Sequence, residues 1–309
     1  MTPRIPHIDS LPDGVKATTG GKFDRNERLP YFIATNAAAL REVDYPNVLV
    51  AVNEIESAKD YDDLDYLCDN RKVLLDSGIF NLAMNHVRAH GVSHNEALAM
   101  PPDQIDGFTK LWDRYGEVAT RYADRLWGVV ELDQGGIENK PVTRKRIEDE
   151  FGITPIPVYH PLLDGWDYYD DLAREYDRIC FGNIVQASPP ARLRLAYTAA
   201  ERARDYPYLW THLLGMTPNE NTFAMPMRGS MDSSSWLTAV RWYPSWHSKA
   251  MLKRAGNYPP PMWPKGKDEG DEEPTDVGRS KTMEIVKINV DAQRRIMQSV
   301  WEDTAPWTQ

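Results

Sequence analysis

The 309-residue chain has only two cysteines, Cys68 and Cys180. A disulfide scaffold and a four-cysteine zinc site are therefore excluded, and the count suits a reducing, cytoplasmic setting. No apolar run approaches the roughly 18–20 residues that span a bilayer, so no membrane partner is expected. The start, MTPRIPHIDSLPDG, has no apolar stretch, and no signal peptide is expected from it. Positive charge is in the minority: 36 Lys and Arg against 46 Asp and Glu give a net charge of −10. That disfavours non-specific coating of nucleic acid, while leaving room for a local basic groove. There is neither a Walker-type phosphate loop nor a Gly-x-Gly-x-x-Gly run, and no repeat at a fixed period.

What is present is a 41% hydrophobic composition with 10% aromatics, enough for a large core without metals or disulfides. Residues 1–28 are polar and rich in Gly, Pro and charge, and read as a loose N-terminal arm. Eight short apolar runs follow: Tyr31–Thr35, Val48–Val52, Val73–Leu75, Leu126–Leu132, Ile156–Tyr159, Ile179–Val185, Leu209–Leu214 and a weak one ending near Met231. They show little period-2 alternation, as parallel strands buried on both faces do. Between them lie helical patterns over Pro102–Tyr122, Tyr168–Tyr176 and Ala191–Asp205. About eight strand–helix units in about 220 residues predict an α/β fold, a (β/α)8 TIM-like barrel over residues 29–245. Residues 246–309 form a C-terminal extension: a Trp/Pro-rich stretch, a charged loop over 265–281 and a helix over 283–301 packed on the barrel.

In such a barrel the chemistry sits at the C-terminal ends of strands. Asp76, Asp133 and Asp232 fall there, as do His160, His212, Gly215 and the pair Gly182-Asn183 inside the run ICFGNIV. A single aspartate after a strand is ordinarily a helix cap or turn former. Three at three strand ends would converge on one mouth and could supply a nucleophile, an acid/base and a binding carboxylate.

At these residues the chain resembles the tRNA-guanine transglycosylase superfamily. The motifs are Asp76-Ser77-Gly78-Ile79-Phe80, Asp133 in VVELDQG, Gly182 in CFGNIV, His212-Leu213-Leu214-Gly215 and Asp232-Ser233-Ser234-Ser235-Trp236, in the family's order over about residues 30–245. The resemblance is closest to the phage and bacterial branch that places 7-deazaguanine bases in DNA, the DpdA type. Members acting on tRNA carry a Cys-x-Cys-x-x-Cys…His zinc module after the nucleophile. With no cysteine beyond Cys180, that module cannot exist here, and the C-terminal extension occupies its place.

The resemblance implies a base-exchange pentosyltransferase that replaces guanine in DNA with a 7-deazaguanine such as preQ0. Asp232 would be the nucleophile and Asp76 the general acid/base. Asp133 would bind the base edge and Phe80 would stack on it. Ser77, Gly78, Gly182, Asn183 and Gly215 would line the base site; His160, from its place at a strand end, is a further candidate for it, the alternative being a structural histidine. No cofactor is implied. The implied partners are DNA, with its guanine flipped or single-stranded, and the free deazaguanine base; a homodimer is possible. Alternatives are exchange in tRNA, hydrolytic release of a base or nucleoside, and a nucleic-acid-binding protein without turnover.

Basic residues occur at Arg192/Arg194, Arg202/Arg204 and Arg241, and at Lys249, Lys253 and Arg254. The last group, interleaved with Trp242, Trp246 and Trp263, suits phosphate contact and base stacking, or else packing of the C-terminal helix, and Arg241 joins it as a candidate nucleic-acid contact. His86, His90 and His94 are spaced i, i+4, i+8. On one helix they would share a face, but Gly91 and Ser93 weaken that helix and no nearby acid is evident to complete a ligand set, so no metal is expected.

Overall fold

The computed structural model describes residues 7–27, 31–35, 37–41, 45–216, 225 and 227–234. The C-terminal extension, including the expected loop and helix, lies outside them.

The eight strands are β1 (Tyr31–Ala34), β2 (Asn47–Ala51), β3 (Lys72–Asp76), β4 (Gly128–Val129), β5 (Val158–Tyr159), β6 (Arg178–Phe181), β7 (Trp210–Leu213) and β8 (Arg228–Ser233). Each coincides with one of the apolar runs. They form a single curled sheet, ordered β4-β3-β2-β1-β8-β7-β6-β5, with every pairing parallel. The two edges meet through a parallel bridge between Val130 and Ile156: Glu131 N–H donates to Ile156 O at 3.0 Å, and Ile156 N–H to Val129 O at 2.7 Å.

Eight α-helices connect the strands among the described residues: α1 (Ala37–Arg41), α2 (Ala58–Asn70), α3 (Ile79–His90), α4 (His94–Ala99), α5 (Phe108–Tyr122), α6 (Gly136–Phe151), α7 (Trp166–Glu175) and α8 (Pro189–Arg202). Local chemistry sets their limits. Ser57 with Asp60, and Ser93 with Glu96, form reciprocal capping boxes that start α2 and α4. The helical pattern over Pro102–Tyr122 is split, because Gly107 takes a left-handed conformation (φ 85°) between a short 3-10 turn and α5.

The sheet buries both faces, which accounts for the missing alternation. Outward side chains such as Ile33, Val48, Val50, Val73 and Leu75 pack with the helices. Inward ones, including Phe32, Leu49, Leu74, Trp127, Val158, Cys180 and Trp210, form a second core inside the curl. Because side chains alternate along a strand, the inward face continues two residues on. Leu74 leads to Asp76, Val158 to His160, Trp210 to His212 and Ser230 to Asp232. The same alternation that fills the interior therefore directs polar groups to its carboxyl end.

The amino-terminal segment is not loose where it is described. Arg178, buried at the start of β6, donates to Thr18 O (2.7 Å), Thr19 O (2.9 Å) and Trp127 O (2.6 Å) and lies 4.1 Å over the Phe23 ring. Phe23 meets Trp127 and Trp210 edge-on at 5.2 and 5.3 Å. Thr18 also bonds Asp177 through its backbone and hydroxyl. Composition suggested a free arm. Instead, a few anchoring side chains close the end of the sheet opposite the acids.

Candidate active site at the carboxyl ends of the strands

Asp76 is the last residue of β3 and accepts a hydrogen bond from Gly78 N–H at 3.1 Å. Gly78 has φ 81°, and a Cβ there would come within 2.6 Å of Asn53 Oδ1. Only glycine fits that turn, which launches α3 and puts Phe80 at the rim, 47% exposed. The Phe80 ring sits 5.1 Å from that of His94, the first residue of α4.

Asp133 follows β4 and is nearly buried. His160, two residues past Val158, brings Nε2 to 2.7 Å from Asp133 Oδ2. Beside a carboxylate oxygen, which accepts, Nε2 is the donor of this pair, and the ring's second nitrogen is Nδ1. That Nδ1 is buried with no hydrogen-bond partner among the described residues. The loop behind it is held firmly: Asp164 accepts from His160 N–H (2.8 Å) and from buried Lys140, whose ammonium also donates to Val158 O (3.0 Å).

Asp232 lies within β8. Its Oδ1 accepts from Gly215 N–H at 2.9 Å and from His212 Nε2 at 3.1 Å. His212 Nδ1 is 2.7 Å from Ser230 Oγ, which accepts from Trp210 Nε1–H at 2.9 Å. The aspartate is thus backed by a buried file, Trp210–Ser230–His212, spanning two adjacent strands. Two donors on one oxygen suit a carboxylate.

The three acids feel one another. Burial, then the charge of Asp133 and, more weakly, that of Asp232, push the Asp76 carboxyl up to about 7. Cys180, on the inner wall of β6, is held well above its ordinary range by burial and by the same three acids. Asp76 therefore carries a proton below neutrality, as a group that gives and takes protons must.

Glycines shape the remaining wall. A Cβ on Gly182 would approach Val158 Cγ1 to 2.8 Å and His160 Cδ2 to 3.0 Å, so a side chain there would displace His160. Gly182 and Asn183 lie just past β6 rather than inside a strand. Asn183 takes a left-handed conformation (φ 57°) and opens a 3-10 turn at Ile184–Gln186. Its Nδ2 donates to Asn95 Oδ1 at 2.9 Å, while its own Oδ1 is buried without a partner among the described residues. Gly215 (φ 68°) gives the turn that aims its N–H at Asp232. Ser77 is buried, with Oγ 3.5 Å from Asp133 Oδ1.

The structure thus gathers Asp76, Asp133, His160 and Asp232, with Phe80 at the rim and Gly182, Asn183 and Gly215 in the wall. His212, whose role the sequence left open, touches Asp232. Three contributors were missed. Ser230 was legible as the inward neighbour of Asp232, two residues before it. His94 and Asn95 had no local signal, since their place depends on the excursion between β3 and β4. The three histidines do not share one helix, and the break falls at the two residues that weaken it in the sequence: Gly91 ends α3 in a left-handed cap, and Ser93 starts α4. His94 consequently turns to the mouth, where burial first and then His160 lower its proton affinity. An acid does come near the other two histidines, for His90 Nε2 lies 2.9 Å from Asp106 Oδ2.

Of the basic residues, Arg192 donates to the carbonyls of Ile184 and Val185, and Arg202 pairs with Asp170. Arg241, Lys249, Lys253 and Arg254 lie outside the described residues. No protein-family model matches the chain, and no curated protein matches it either.

Proposed function

We propose that the chain is a closed (β/α)8-barrel transglycosylase that exchanges guanine in DNA for a 7-deazaguanine such as preQ0. The observation that carries the reading is the raised proton affinity of Asp76 beside Asp133 and Asp232, with Asp232 met by two hydrogen-bond donors. One carboxyl holding its proton near neutrality and a second kept as an acceptor are what a double displacement through an oxocarbenium-like transition state requires.

Asp232 attacks C1′ of the target nucleotide, forming a glycosyl ester as the C1′–N9 bond breaks. The electron pair leaves on N9 of guanine, and Asp76 delivers its proton there. In the second half Asp76 takes the N9 proton of the incoming base, N9 attacks C1′, and Asp232 is released. One glycosidic bond replaces another, so the exchange balances without ATP or a redox partner. Asp133 accepts from N1–H and the exocyclic amine, oriented by His160. Phe80 offers its exposed face for stacking, worth about 1–3 kcal/mol per base. The target base must leave the duplex stack to reach the acids.

The choice of DNA over tRNA rests on the missing cysteines of the zinc module. Nucleoside mass spectrometry after incubation with preQ0 and either DNA or tRNA tests it, with Asp232→Ala as the blank. A deazaguanine deoxynucleoside formed only by the parent chain supports the reading. A modified ribonucleoside alone moves the substrate to tRNA, and abasic sites without a new nucleoside identify a hydrolase.

A further inference from the structure

The carboxyl end of α3 carries a side-chain group that the proposed reaction does not use. His86 and His90, four residues apart, stack on one face of the helix with ring centroids 4.1 Å apart. Asp106 reaches them from the loop before α5, a turn that Gly107 permits. Its Oδ2 is 2.9 Å from His90 Nε2 and 3.9 Å from His86 Nδ1. One ligand atom from each of the three residues lies within 4.8 Å of the others.

Two nitrogens and a carboxylate oxygen are the donor set of many zinc sites, where ligands about 2.0–2.1 Å from a tetrahedral ion stand about 3.3 Å from one another. The two measured separations straddle that spacing, so small side-chain rotations would bring all three atoms onto one ion. A second observation points the same way. His86 is 6% exposed, and its Nδ1 is a buried polar atom with no hydrogen-bond partner among the described residues. Such an atom is costly to leave unsatisfied, and a coordinated cation would satisfy it. His90 and Asp106 are exposed, which gives an ion a path in and leaves room for a water as fourth ligand.

We propose that His86, His90 and Asp106 form a binding site for a borderline divalent cation of the Zn2+ class. It is distinct from the three-acid mouth and independent of the reaction proposed there. The ion would staple the end of α3 to the loop that enters α5. Because α3 begins three residues after Asp76, the site braces the helix on which the Asp76–Phe80 turn is mounted.

The test uses the full chain, stripped of metal and carrying no affinity tag, titrated with Zn2+ by calorimetry and with Co2+ by visible absorption. The expected result is one ion per chain, tetrahedral-type Co2+ bands, and a melting temperature that rises with Zn2+. Losing even an outer partner of a metal ligand costs about 10–100-fold in affinity. His90→Ala and Asp106→Asn, both at exposed positions, should each weaken binding at least that much and abolish the thermal shift, while His7→Ala changes neither. Absence of saturable binding in the micromolar range would overturn the proposal and leave a hydrogen-bonded His90–Asp106 pair. Binding unchanged in both variants would overturn it too, by moving the ion elsewhere.

Discussion

His160 Nε2 lies 2.7 Å from Asp133 Oδ2, tying the end of β5 to the segment that follows β4. These strands are the two edges of the hydrogen-bonded sheet order, so the pair reaches across the place where the curl meets itself. It also consumes one lobe of the Asp133 carboxylate and fixes the direction of the other. A carboxylate oriented in this way can read a base edge without searching for its rotamer.

In the proposed reaction that arrangement would make His160 a positioning residue. We expect His160→Ala to raise KM for the guanine-bearing substrate by about 10–100-fold, the worth of a hydrogen bond to a charged group, with a smaller effect on kcat. Steady-state kinetics check the split. A fall in kcat with KM unchanged would give His160 a part in the chemistry instead. Gly182→Ala should mimic the variant in weaker form, since its Cβ would push on the same ring.

Asp232→Ala should eliminate the covalent intermediate and reduce exchange by roughly 10^4-fold or more, as loss of a nucleophile does elsewhere. Intact-protein mass spectrometry of a denatured reaction mixture reads the intermediate as an added mass. Asp232→Asn should leave the hydrogen bond from Gly215 N–H in place, so folding is retained and only capture is lost.

Asp76 sets the pH behaviour. In the proposed exchange the protonated carboxyl expels guanine; with that carboxyl near 7, this form declines as pH rises through neutrality, so kcat/KM should fall on the alkaline side with an apparent midpoint near 7. For stability, the folded state holds this proton more tightly than an unfolded chain whose carboxyl titrates near ~3.9. Between those values the folded state binds more protons, and the contribution is fully present below ~3.9 and lost as pH rises through about 7. Three units correspond to about 4 kcal/mol as an upper bound. Urea unfolding of Asp76→Asn should therefore show a flatter pH profile than the parent between pH 4 and 7.

At the opposite end of the sheet, Arg178→Met should destabilise the chain by about 3–5 kcal/mol without changing the acids. It would leave the carbonyls of Thr18, Thr19 and Trp127 unpaired inside the structure. Denaturant melts measure the loss, and proteolysis should reveal an amino-terminal segment released from the sheet.

Much of this molecule was legible in one dimension because strand burial is a local property. Continuous apolar runs such as VLVAV and ICF can be satisfied only between two packed layers, and each run became a strand. The acids at strand ends were readable for the same reason, as period 2 carries Leu74 into Asp76 and Ser230 into Asp232. The helix starts at Ser57 and Ser93 follow from capping chemistry that needs only three residues of context.

What remained hidden depends on contacts between residues far apart in the chain. Nothing local in the polar segment before β1 shows that Thr18 will meet Arg178, 160 positions on. Gly91 and Ser93 mark a break between His90 and His94, but nothing local sends one to a pair with Asp106 and the other to the mouth. The amino-acid sequence by itself determined the strands, their parallel α/β class and the acids that cap them, because burial periodicity and turn chemistry act over a few residues. Only the tertiary structure decided which acid shares its field with which, which histidine backs each carboxylate, and what becomes of the amino-terminal segment. Those outcomes depend on charge proximity and desolvation, which come into being when distant strand ends are brought together.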